Sequence, residues 1–315
     1  MRKVHFIINP SEITAGTRGA SLGPAAIMAA ARKQGSTIFN QYLKSRIIDH
    51  NDLLDQPTPY PYAKRIDGLL DIFKDLNEKV SGALKNGEFP FVLAGDHGSA
   101  AGTIAGIKNA YPDKRLGVIW IDAHKDLHTP YTTPSGNIHG MPLAIALSED
   151  NLECKINDVR PESIEKWEEL KNIGFNGAKF DPQDLYFIAV RDTEEQENKL
   201  TDRLKIKNYT VAEVRESGVE TVVKEIQDKL SHCDMVYVSF DVDSMDPDQT
   251  SYGTGTPVSN GLSIDEAQEI LAMFAAFPKT VCIEFVEVNP CLDDKKNTMA
   301  EVAFSLMVNT IEALN

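Results

Sequence analysis

The chain is short of positive charge: 32 Lys and Arg stand against 47 Asp and Glu in 315 residues, a formal charge of −15. A surface that negative repels nucleic acid and anionic lipid headgroups, which excludes both as partners, and it attracts cationic small molecules. Bound cations would neutralise some of those carboxylates. Long hydrophobic runs are missing too. No stretch approaches the roughly 18 uninterrupted apolar residues of a membrane span. The first residues, MRKVHFIINPSEIT, hold an apolar run too short for a secretory signal core, so the expected location is cytoplasmic. Cysteine is scarce: Cys154, Cys233, Cys282 and Cys291 show no C-x-x-C spacing and are expected to be reduced and structural. There is no internal repeat and no low-complexity tract.

What is present is a regular alternation. Short runs rich in β-branched and aromatic residues, KVHFIIN, TIFNQYL, FPFVLAG, LGVIWIDAH, DLYFIAV, MVYVSFDVD and TVCIEFVEV, read as strands. Several are apolar at successive positions, as a strand covered by helices on both faces requires. Helical patterns lie between them at Gly23 to Gln34, Ile66 to Lys85, Ala100 to Ala110, Val219 to Leu230, Ile264 to Phe274 and Thr298 to Leu314. Strand and helix in alternation predict an α/β fold of three αβα layers around a mostly parallel, doubly wound sheet, formed by residues 1–315 as a single domain. Ser148 to Asp184, where charge, Gly and Pro gather around a short helical pattern, is expected to be a surface excursion.

In an open parallel sheet, ligands bind outside the carboxyl ends of the strands, so the polar residues that follow apolar runs carry the most information. FPFVLAG runs into Asp96 and His97, LGVIWI into Asp122, His124 and Asp126, and MVYVSF into Asp241 and Asp243. Side chains two apart on an extended segment point the same way, so each set can face one cavity. A lone Asp after a strand is usually a turn former or helix cap. Several together would repel one another unless cations compensated them, and a mixed Asp and His set suits Mn²⁺ or a similar divalent ion. The six ligands His97, Asp122, His124, Asp126, Asp241 and Asp243 suffice for two ions. Four of the seven histidines fall between positions 97 and 139, whereas His5, His50 and His232 stand apart as structural or surface residues.

The segments Gly95-Asp96-His97, Asp122-Ala123-His124-Lys125-Asp126, Ser135-Gly136-Asn137-Ile138-His139-Gly140, Ser239-Phe240-Asp241-Val242-Asp243 and Glu287-Val288-Asn289-Pro290 resemble the motifs of the arginase-like ureohydrolase family, in the family's order. Gly16 to Gly19 and Leu22-Gly23-Pro24 add a weaker likeness at the start. The resemblance implies two manganese ions per subunit that activate a water for attack on a guanidinium carbon, with release of urea. It implies further that Asp126 takes part in catalysis as well as in metal binding, that Glu287 pairs with the substrate guanidinium, that His139 shuttles a proton and that Thr256 lies near the guanidinium. It also implies a homo-oligomer, a trimer or a hexamer.

Ser135 and Asn137 resemble the arginase positions that bind an amino acid's α-carboxylate, which favours L-arginine over agmatine. Two departures bear on that choice. His128 stands where arginases carry Asn, and Glu194, in Arg191-Asp192-Thr193-Glu194, stands where they carry Asp. His128, Asp192 and Glu194 are accordingly expected at the substrate's amino-acid end. Agmatine, formimidoylglutamate and other amidines remain alternatives within the same chemistry. A reading of another class, a catalytically silent regulatory or assembly relative, would be marked by a missing ligand, and all six are present.

Overall fold

The computed structural model describes residues 2–314. Its core is one sheet of eight strands, in the order β2-β1-β3-β8-β7-β4-β5-β6, every neighbouring pair parallel. In chain order the strands are β1 Val4–Asn9, β2 Leu43–Arg46, β3 Phe89–Ala94, β4 Leu116–Ile121, β5 Leu185–Ile188, β6 Lys207–Tyr209, β7 Met235–Asp241 and β8 Thr280–Val286.

Pleat alternation explains why these strands read as continuous apolar runs. On β4, Ile119 and Ile121 enter the core on one face while Leu116, Val118 and Trp120 enter the core on the other; on β7, Val236, Val238 and Phe240 alternate with Met235 and Tyr237 in the same way. A sheet buried on both sides needs an apolar residue at nearly every position. Helices Ile66–Lys85, Ala100–Ala110, Pro142–Leu147 and Pro161–Asn172 cover one face. Gly23–Lys33, Val219–Lys229, Ile264–Ala276 and Thr298–Ala313 cover the other. The result is the three-layer αβα architecture expected from the sequence, with a sheet that is parallel throughout. The helix ends have local causes: Pro24 lies in the first turn of Gly23–Lys33, and Ser263 and Glu266 form a reciprocal cap that starts Ile264–Ala276. Among the described residues no helix is long and apolar enough to cross a membrane.

Three expectations need correction. TIFNQYL is not a strand: Ile38–Gln41 forms a helical turn, and the edge strand β2 follows at Leu43–Arg46. Ile38 and Phe39 are buried under β1 as helical residues, so their apolar character reports packing and not extension. Strand β6 and the helices Pro142–Leu147, Glu195–Leu204 and Val211–Ser217 were not anticipated. Ser148 to Asp184 is more than a surface excursion, because Trp167, Leu170 and Phe180 are buried in the core beneath helix Pro161–Asn172. The cysteines are free, as expected.

Candidate active site

The four central strands, β3, β8, β7 and β4, end side by side, and each hands its last residues to one crevice. His97 follows β3, Asp122, His124 and Asp126 follow β4, Asp241 ends β7 with Asp243 two residues on, and Glu287 follows β8. Asp126 and Glu287 take left-handed backbone conformations, φ 52° and 66°. Neither is glycine, so each conformation costs of order 1 kcal/mol or more and is held by the surrounding fold.

One rule orients the strand-end carboxylates. Asp122 Oδ1 accepts from the His124 N–H at 2.7 Å, Asp241 Oδ1 from the Asp243 N–H at 2.8 Å, and Asp243 Oδ1 from the Ala123 N–H at 3.1 Å. Each Asp spends one oxygen on the backbone and sends the other inward. The free oxygens Asp122 Oδ2, Asp126 Oδ2 and Asp241 Oδ2 lie 3.0, 3.1 and 3.1 Å from His97 Nδ1. Asp243 Oδ2 lies 3.1 Å from His124 Nδ1, and Asp122 Oδ1 lies 3.5 Å from that same nitrogen.

The donor set fits a pair of divalent cations. Two trios of ligand atoms, from His97, Asp122 and Asp126 and from Asp122, His124 and Asp243, each lie within 4.8 Å of one another and share Asp122. His97 Nδ1 and Asp122 Oδ2 are buried without a hydrogen-bond partner, although a complementary atom is close by. Without a cation, protons must do the compensating. Burial opposes charge on His97 and His124, yet the carboxylates around them outweigh it and raise both imidazoles well above their ordinary range. Burial, then the Asp122 charge, pushes Asp126 up to about 7. Burial, then the Glu287 charge, does the same to Asp96, also to about 7.

The crevice opens into a cavity of about 240 Å³ lined by all the sequence-derived candidates except Asp122, which lies beneath it, fully buried. No Lys or Arg lines it. Glu287 Oε1 accepts from the His97 N–H at 2.9 Å and lies 3.8 Å from His139 Nδ1. Burial works against a charge on His139, but Glu287 beside it raises the imidazole above its usual range. Thr256 donates to Asp243 Oδ2 at 3.1 Å, at the edge of the ligand cluster. Ser135 and Asn137 stand together on the wall, the Asn137 N–H donating to Ser135 Oγ. Asp192 is largely exposed at the rim, its Oδ2 3.8 Å from His124 Nε2.

His128 and Glu194, the two departures, face one another: His128 Nε2 lies 3.3 Å from Glu194 Oε2. Sequence reasoning missed the third member of that group. Glu197 Oε2 lies 3.7 Å from the same nitrogen, its Oε1 accepts from the Leu127 N–H, and its Oε2 accepts from the Glu194 N–H, capping helix Glu195–Leu204. Burial pushes Glu197 up to about 7. The reciprocal Glu194 and Glu197 cap is a helix-start signal, but the helix itself is too charged to show an apolar stripe. Thr133, also on the cavity wall, was missed with no signal beyond its place near Ser135.

Known proteins are similar to this chain in sequence and fold. The chain is 34% identical over 307 residues to the arginase of Bacillus subtilis, with 94% of each chain covered. It superposes on the native structure of Bacillus caldovelox arginase with a TM-score of 0.83, at 34% identity and 98% coverage of both chains. It superposes on Entamoeba histolytica arginase in complex with L-ornithine with a TM-score of 0.81, at 26% identity, covering 100% of this chain and 99% of that one. The model of the arginase family matches residues 2–312, so that no strand of the sheet and no residue of the strand-end cluster falls outside the match, and the chain belongs to the arginase family.

Proposed function

We propose that this chain is a metal-dependent hydrolase of L-arginine that releases urea, with residues 1–315 acting as one catalytic domain. The observation that carries the proposal is the pair of ligand trios joined at Asp122, set beside a carboxylate, Glu287, in a cavity that no Lys or Arg lines. His97, Asp122, Asp126 and Asp241 would hold one Mn²⁺, and Asp122, His124 and Asp243 the other. Such a pair, when bound, supplies the Lewis acidity that makes water a nucleophile near neutral pH.

The chain's own residues bind and orient the substrate. A guanidinium is a planar fork, and a carboxylate accepts it in two parallel hydrogen bonds. The backbone bond from His97 fixes the Glu287 carboxylate in place before the substrate arrives, which lowers the entropy lost on binding. His139, whose imidazole the neighbouring Glu287 raises above its usual range against the opposing effect of burial, stands where it can pass a proton to the departing amine. At the rim, Asp192 and Glu194 offer carboxylates to an α-ammonium group, while Ser135, Asn137 and the His128 imidazole offer partners to an α-carboxylate. Agmatine would leave that second set without a substrate partner, so it ranks below L-arginine. The L-ornithine in the Entamoeba histolytica arginase structure is an amino acid of the same class, which supports the choice. Manganese as the metal, assembly as a homo-oligomer and a cytoplasmic location are supported by family likeness.

The test is urea release by Mn²⁺-loaded protein on L-arginine, agmatine and several guanidino acids, with Asp126→Ala as background. L-Arginine should be turned over fastest and the variant should be silent. Protein that holds two Mn²⁺ per chain yet hydrolyses no guanidino compound would refute the proposal and revive a regulatory role.

A further inference from the structure

Away from the ligand cluster, three side chains line up across β2, β1 and the start of β3. His5 Nε2 lies 2.8 Å from Ser45 Oγ, and His5 Nδ1 lies 2.7 Å from Glu88 Oε2. The strand order explains the meeting. β1 runs between β2 and β3, Ser45 is in register with Ile7, and Ile7 and His5, two apart, leave the same face of the sheet. Glu88 stands one residue ahead of β3, whose first residue, Phe89, donates its N–H to the Lys3 carbonyl. Exposure falls along the line: Ser45 is half-buried on the edge strand, the His5 side chain is 13% exposed and that of Glu88 5%.

The direction of the hydrogen bonds follows from the charge at the inner end. Lys3 Nζ lies 2.6 Å from Glu88 Oε1. Burial alone would raise the Glu88 carboxyl, but the bonds from Lys3 and His5 outweigh it and hold the group below its usual range, so it is a carboxylate at neutral pH. A carboxylate only accepts, so His5 Nδ1 carries the proton that it donates to Oε2. In the neutral imidazole Nε2 is then a lone pair, and the Ser45 hydroxyl donates to it. A hydroxyl, a base that accepts its proton and an acid that orients the base, each within hydrogen-bond reach of the next, is the arrangement that activates a serine.

The edge of the sheet supplies a further part. β2 is the outermost strand, and just past its end the Ile47 N–H donates to the Ile8 carbonyl at 2.8 Å. Backbone groups alternate in direction along a strand, so the Ser45 N–H faces β1 as that of Ile47 does. The Arg46 N–H between them faces outward, where no further strand pairs among the described residues. The N–H of the residue after a nucleophile is well placed to donate to an oxygen that gains charge during acyl transfer. A bond that merely tied β2 to β1 would need neither an ionised acid behind it nor a hydroxyl within reach of solvent.

We propose that Ser45, His5 and Glu88 form a second hydrolytic site, a serine nucleophile with its general base and orienting acid, that takes small activated acyl esters. The class is small because an open sheet edge offers little surface to hold a larger acyl group. Ser45 Oγ forms a bond to the acyl carbon as its proton passes to His5 Nε2, and the Arg46 N–H donates to the acyl oxygen. The bond to the leaving alcohol then breaks and the proton moves from His5 to the alcohol oxygen. Water, giving a proton to the same nitrogen, attacks the acyl-serine, which releases the carboxylic acid and returns the proton to Ser45. This chemistry needs no metal and stands independently of the reading of the strand-end cluster.

The experiment treats the full-length, Mn²⁺-loaded protein with a fluorophosphonate probe, locates the adduct by peptide mass spectrometry, and follows p-nitrophenyl acetate hydrolysis in parallel. Ser45→Ala, His5→Gln and Glu88→Gln are compared with wild type at matched melting temperature. Wild type should carry the adduct on Ser45 and release nitrophenol beyond one turnover. Ser45→Ala should lose the adduct, and His5→Gln should form it at least about 100-fold more slowly. An adduct elsewhere, or none, in wild type would overturn the proposal. An adduct on Ser45 that forms as fast in His5→Gln as in wild type would overturn it too, since the histidine would then be no base. Glu88→Gln, which keeps the shape of the acid, decides by the same slowing if His5→Gln fails to fold.

Discussion

The two ends of the sheet carry the same kinds of residue with opposite outcomes. At the amino ends of β4, β5 and β7, Asp184, His232 and Cys233 bring three potential metal-ligand atoms within 4.8 Å, as the trios at the carboxyl ends do. Asp184 is fully buried, but Arg115 reaches it with Nε at 2.6 Å and a second nitrogen at 3.1 Å, and His232 adds a contact at 2.7 Å. There the protein supplies its own cation. At the carboxyl ends no Lys or Arg enters the cavity, and the buried oxygens turn toward one another. A cluster of ligand-type residues is informative only when the chain has left its charge uncompensated.

The largest effect should come from the residue that both trios share. Asp122→Asn should lower urea release by more than ~100-fold, above the range of an outer partner, and bring metal content below one ion per chain. Retention of two ions by that variant would erase the distinction between the ends. At the opposite end, Arg115→Leu should leave Asp184 short of a cation and lower the melting temperature by about 2–6 °C, with urea release within about twofold of wild type. If the missing cation is the whole difference, Zn²⁺ should restore part of that loss in Arg115→Leu and do nothing for wild type.

Smaller effects are expected at the rim, where the proposed contacts are to the substrate and not to the metals. His128→Asn and Glu194→Asp should each change KM for L-arginine by up to ~10-fold while kcat moves less than about threefold, the mark of a group that binds ground state and transition state alike. A fall in kcat alone would move both residues into the chemistry. The smallest effect concerns pH. In metal-free protein Glu197 keeps its proton up to about pH 7, whereas an unfolded glutamate releases it near 4.5. The folded state therefore binds the extra proton between those values, and this contribution to stability is lost as pH rises through them. Glu197→Gln removes it, so the variant's melting temperature should fall less than that of wild type between about pH 5 and 7. Parallel curves would show that Glu197 is ionised throughout.

The clustering of the candidate ligands was legible in the sequence because the central strands are apolar at nearly every position, which makes an Asp or His at their ends conspicuous. The long helices were legible for a related reason: Ile66–Lys85 and Ala100–Ala110 carry wide buried faces, and their observed ends coincide with the expected ones. The failures lie where burial is slight. β2 is mostly exposed and β6 buries only Tyr209, so neither leaves an apolar signature. Helix Glu195–Leu204 buries Leu200 among charged residues, and with it went Glu197, whose role depends on contacts with Leu127 and His128 that no local pattern encodes.

The strand order has a consequence for how the molecule is born. β7 and β8, the last strands to leave the ribosome, are the two in the middle of the sheet, between a half made of β1 to β3 and a half made of β4 to β6. Domains are synthesised from the amino terminus at about 5–20 residues per second, so the two halves must wait several seconds, each with an open strand edge, until the final pair inserts between them. His97 follows a strand of one half and Asp122 a strand of the other, so only the closing of the sheet by its latest strands completes the candidate ligand cluster.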